Sequence, residues 1–177
     1  MKTQLINAFN AAIVAEIIVL FLTLYTSVFN TPHLVEWYKK FKLGAVLQDV
    51  LILVIGIILT DYLYPKVFKS FSIFKYVGLA IFIQIIHDVL FAIAFKQIKN
   101  HEMFDVFNKY ANMVGFKAIL GDSFMMLICV LFYLFTKNYQ HHSILAVFLI
   151  YLVPYLLPKL CRSRPTITPI SQIWQHL

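Results

Sequence analysis

The sequence predicts an all-α, polytopic transmembrane helix bundle, and three observations predict it. Of 177 residues, 61% are hydrophobic and only 13% are charged. The mean hydropathy is +0.80. Five apolar stretches recur along the chain, separated by short polar connections. A soluble domain carries roughly 25% charged residues. With about half that share, this chain cannot cover a core with polar surface, and lipid must be part of its solvent.

The stretches are Ala8–Phe29, Leu43–Tyr64, Phe74–Phe95, Gly115–Thr136 and Ser143–Leu160. About 20 helical residues cross a hydrocarbon core, so the first four qualify. The first is too long for a signal-peptide h-region and no A-x-A-like site follows it, so it reads as a retained helix. The fifth is shorter and carries Pro154 and Pro158. Proline removes an N–H from the helix ladder. The expectation is five transmembrane helices, with four plus a partial one as the alternative. Residues 1–160 form a single bundle on this reading, and 161–177 a basic tail.

Two connections are patterned as interfacial amphipathic helices. Thr31-Pro32 can start one as N-cap and first helical residue. Leu34, Trp37, Tyr38 and Phe41 then share a face, opposite Glu36, Lys39 and Lys40. Met103, Val106, Phe107, Tyr110 and Val114 repeat that spacing against Asp105 and Lys109. Such helices lie in the membrane interface or pack on the ends of a bundle. Trp37, Lys39, Lys40 and Lys109 are therefore the expected rim for anionic lipid or an acidic partner.

Basic residues set the expected orientation. With five spans, nine Lys and Arg fall on one side and five on the other, leaving Lys117 within the fourth span. The positive-inside rule then places the C-terminus in the cytosol and the N-terminus on the outer or lumenal side.

Polar side chains inside the spans carry the functional signal. Glu16, Asp49, Asp88 and Asp122 are four of the eight acids in the chain, and each falls at depth. A charge at mid-bilayer costs ~2.5–3.5 kcal/mol on insertion scales, so such residues mark function by default. At 1.5 Å per residue, Asp49, Asp88 and Asp122 each lie ~10 Å below the same interface. Glu16, counted from the opposite side, lies ~12 Å in. Gln84, His87 and Asp88 share one helix face. Small residues at Gly115, Ala118 and Cys129 flank Asp122, and Ala12 and Thr23 flank Glu16, which favours close helix packing.

Three chemistries compete for this cluster. Carboxylates with His87 can relay protons or cations. Asp49, His87, Asp88 and Asp122 are O/N ligands that suit a metal such as Mn, Fe or Zn. Lys117 and His87 can instead neutralise the aspartates in a network that only fixes packing. No H-E-x-x-H, P-loop or triad spacing points to an enzyme, no potassium-filter sequence is present, and no cofactor is implied. Cys129 and Cys161 form no C-x-x-C pair. The net charge of +7 points to anionic lipid rather than nucleic acid.

At Gln48-Asp49-Val50-Leu51-Ile52, Gln84-Ile85-Ile86-His87-Asp88 and Tyr110–Met126 (YANMVGFKAILGDSFMM), the chain resembles small multi-pass membrane proteins of giant (nucleocytoplasmic large) DNA viruses of algae and protists. The resemblance covers about Gly44–Pro158 and brings no activity with it. It implies a setting: a host internal membrane or the inner membrane of a virion. The leading expectation is a virus-type membrane protein with a structural role, touching capsid or core components or other viral membrane proteins, with a homo-oligomer left open. The alternative is a proton- or cation-translocating bundle.

Overall fold

The structure is a computed structural model, and it describes residues 2–26, 32–97, 105, 115–137 and 142–156. Among them the regular structure is entirely helical. The helices are α1 (Lys2–Tyr25), α2 (Pro32–Phe41), α3 (Leu43–Val67), α4 (Ile73–Gln97), α5 (Phe116–Thr136) and α6 (His142–Leu156). Four of these are long and apolar enough to span a membrane: Thr3–Tyr25, Leu43–Val67, Ile73–Ala94 and Ala118–Thr136. The chain is an integral membrane protein. The described part of α6 has 15 residues, ~22 Å of helix.

The first helix is the centre of the bundle. It packs against α3, α5 and α6, while α4 lies outside against α3 and α5. Ala8, Ala11, Ala12 and Ala15 are buried; these small side chains let three neighbours approach one helix closely. The same requirement recurs at Gly56 of α3, where a Cβ would collide with the Met126 methyl of α5. Peripheral α4 exposes Phe74, Phe82 and Leu90, which reads as a lipid-facing surface in a span.

Hydrogen bonds fix which helix ends lie together. Asn7 Nδ2 of α1 donates to the Lys137 carbonyl just past α5, at 3.3 Å. Near that end, Tyr76 of α4 and Tyr133 of α5 both reach Asp61 of α3. This is the hairpin end, where α3 turns into α4. The opposite end is closed by α2, which turns into α3 through Lys42 at φ 47°, a left-handed conformation uncommon outside glycine.

Candidate functional site

The site is built where α2 folds back on the bundle. Its aromatic face is inside: Trp37 and Tyr38 are buried, while Glu36, Lys39 and Lys40 are exposed. Trp37 also packs on Phe41, with ring centroids 4.7 Å apart. This face packs on the end of the bundle, which is compatible with a place in the membrane interface. The lysines still face outward.

Tyr38 is 1% exposed, and its hydroxyl donates to Asp49 Oδ2 of α3 at 3.1 Å. Glu16 of α1 lies beside the same hydroxyl and within electrostatic reach of Asp49 and Asp122. A phenol carries one proton, so it can serve only one of the two carboxylates at a time. Burial, with Glu16 and Asp49 nearby, pushes the Tyr38 hydroxyl well above the usual phenol range. Tyr38 therefore remains a proton donor at any physiological pH.

Glu16 is 0% exposed, and neither of its carboxyl oxygens is within hydrogen-bonding geometry of a described donor. Asp122 of α5 extends the group, within electrostatic reach of Asp88 and Asp49. On α4, Gln84 Nε2 donates to Asp88 Oδ1 at 2.8 Å. His87 Nδ1 lies 3.2 Å from that same oxygen, and its ring stacks on Phe91 at 5.3 Å. Asp88 Oδ2 has no described hydrogen-bond partner.

Four helices thus contribute Glu16, Asp49, Asp88 and Asp122 to one electrostatically linked chain of acids, in which Asp122 connects Asp88 to the other two, with Tyr38 bonded to Asp49 and Gln84 and His87 beside Asp88. The structure does not show the ammonium partner that the packing chemistry invokes. Lys117 is in α5, but its side chain lies outside the described residues, as do Lys109, the second amphipathic stretch apart from Asp105, and the 161–177 tail. Among the described residues, no three His, Cys, Asp or Glu side chains are placed to hold a single metal ion.

A second polar station has no counterpart among the residues singled out by depth. Asp61 accepts from Tyr76 at 2.7 Å and from Tyr133 at 2.5 Å. It sits three residues before the end of its apolar stretch, where a carboxylate could simply reach water. The signal that distinguishes it is on other helices: Tyr76 and Tyr133 occupy otherwise apolar, buried positions, and buried phenols need acceptors.

Comparison with family models, with curated proteins and with solved structures returns no match. The functional reading therefore rests on the chemistry of the cluster.

Proposed function

We propose that this membrane protein takes up and releases protons at the Glu16–Asp49–Asp88–Asp122 cluster, as part of a proton-translocating bundle. The observation that carries the reading is Glu16, wholly buried in the central helix, within electrostatic reach of Asp49 and Asp122, and with both carboxyl oxygens outside hydrogen-bonding geometry of a described donor. Ionised carboxylates within electrostatic reach of one another in a low-dielectric bundle repel each other, so the cluster calls for cations. Protons suit it better than a metal, because no three of the described acidic and histidine groups converge on one ion position. Tyr38 holds the Asp49 carboxyl in place, and Gln84 and His87 hold that of Asp88.

The test is proton flux in liposomes carrying a pH-sensitive dye, with potassium and valinomycin setting the voltage. Wild-type protein is expected to dissipate an imposed pH gradient. Glu16→Gln keeps the shape and should slow flux by about a hundredfold, within the range for losing a proton-transferring side chain. Wild-type protein that leaves the gradient standing under either polarity of voltage refutes the proposal.

A structural role is the second reading, and one observation favours it: Lys39 and Lys40 face outward from a helix whose aromatic side is anchored in the bundle. Such a rim would hold anionic lipid or an acidic partner. Together with the giant-virus resemblance, it suggests a component of a host internal or virion membrane, with the rim toward capsid or core.

A further inference from the structure

The end of the bundle opposite the acid cluster has its own chemistry. The spans stop at Val67 and resume at Ile73, so the α3–α4 hairpin sits at the membrane–water boundary. It is tightly braced. Tyr64 Oη accepts from the Ser72 amide at 2.8 Å and lies 3.1 Å from the Ser70 carbonyl, to which it can donate. The Tyr64 ring packs on Phe68, Phe71 and Tyr76 at centroid distances of 5.1, 5.8 and 5.4 Å.

On this brace stand three exposed lysines, Lys66, Lys69 and Lys75. Two are held by aromatic faces: Lys66 Nζ lies 3.5 Å from the Tyr62 centroid, and Lys75 Nζ 5.5 Å from that of Phe68. A ring attracts the ammonium without neutralising its charge. No acidic residue occurs between Tyr62 and His87. The nearest in sequence, Asp61, has both carboxyl oxygens engaged by tyrosines. Beside the lysines, Phe71 is 60% and Phe74 90% exposed. At an interface these rings belong in the acyl–headgroup boundary.

We propose that this hairpin is a docking surface for anionic phospholipid, with the three ammonium groups on the headgroup phosphates and Phe71 and Phe74 in the acyl layer. The surface is separate from the Lys39/Lys40 rim and from the acid cluster, and it stands whether or not the protein moves protons. It gives the bundle a lipid-selective foot at the hairpin end. A lysine near an anionic surface strengthens attachment by about fivefold.

The test places a fluorescent reporter at the hairpin by Phe74→Trp, in a chain also carrying Trp37→Phe and Trp174→Phe. The protein is reconstituted in phosphatidylcholine vesicles with brominated phosphatidylglycerol or brominated phosphatidylcholine at equal mole fraction. The anionic quencher is expected to be enriched severalfold at the reporter. Lys66→Gln, Lys69→Gln and Lys75→Gln together should abolish the enrichment. The triple Arg replacement should retain it, as should Lys39→Gln with Lys40→Gln. Equal quenching by the two lipids overturns the proposal, as does enrichment that survives the triple Gln change. Inorganic phosphate should displace the anionic lipid no better than sodium chloride at equal ionic strength. Specific displacement by phosphate would show a site for the free anion and would equally overturn the lipid assignment.

Discussion

The Asp61 station allows a test in which the sign of the effect, and not only its size, follows from the structure. Asp61 is half-buried and accepts from Tyr76 at 2.7 Å and Tyr133 at 2.5 Å, and both rings are buried. Asp61→Ala strands two phenol O–H groups away from water. Each unsatisfied donor costs ~1–3 kcal/mol, so the expected destabilisation is about 2–6 kcal/mol. Tyr76→Phe or Tyr133→Phe removes one bond and leaves a carboxylate that water can still reach, for about 1–2 kcal/mol. Asp61→Asn keeps an acceptor for one phenol and should fall between. The sharpest case is the chain in which both tyrosines are already Phe. There Asp61→Ala replaces a carboxylate whose partners are gone, and the change should be near zero or stabilising. Reversible unfolding in mixed micelles, followed by circular dichroism, reads all of these. Asp61→Ala that costs the same in both backgrounds would refute the clamp.

Two further outcomes bear on the α2 end and on topology. Tyr38→Phe removes the hydrogen bond to Asp49, and a bond to a charged group contributes ~1.5–3 kcal/mol. Amide exchange in Pro32–Phe41 should then speed up by at least about tenfold while the α3 interior is unchanged; unaltered exchange would show that Tyr38 does not latch α2. If α6 completes a fifth crossing, cysteines placed in the N-terminal segment and in the 161–177 tail should label from opposite sides of sealed vesicles. Labelling from one side would show that it does not.

The spans were legible because lipid imposes a demand that composition alone can meet: about 20 apolar residues in a row. The cluster was partly legible for the same reason, since an acid at depth is visible against an apolar background. Glu16 shows how a boundary changes the picture. An apolar stretch ending at Phe29 puts Glu16 ~20 Å from the α2 end, but α1 ends at Tyr25, which brings it to ~14 Å and closer to the level of Asp49. Polar residues at the start of α1 hide this shift, because Lys2–Asn7 read as a flank rather than as helix. Tyr38 was legible only as part of an aromatic stripe. Sequence periodicity gives the face of α2 but not whether lipid or protein covers it.

The arrangement of helices was not legible, and it alters what the polar residues of α1 can do. Glu16 and Thr23 are seven residues apart and share a face, whereas Asn7 is nine residues from Glu16, about half a turn away around the helix. Because α1 is surrounded by α3, α5 and α6, both faces are buried, and a polar residue on either looks equally internal from sequence. Asn7 is tied to the end of α5, while Glu16 meets Asp49, Asp122 and Tyr38. Asn7 and Glu16 therefore serve different neighbours, with buried Asn10 between them along the helix. If the cluster exchanges protons with the hairpin end, a route along α1 would have to change faces between Glu16 and Asn7. On α3, α4 and α5 the polar groups held together at that end are Asp61, Tyr76 and Tyr133, and a route to the hairpin end that leaves α1 would pass through them.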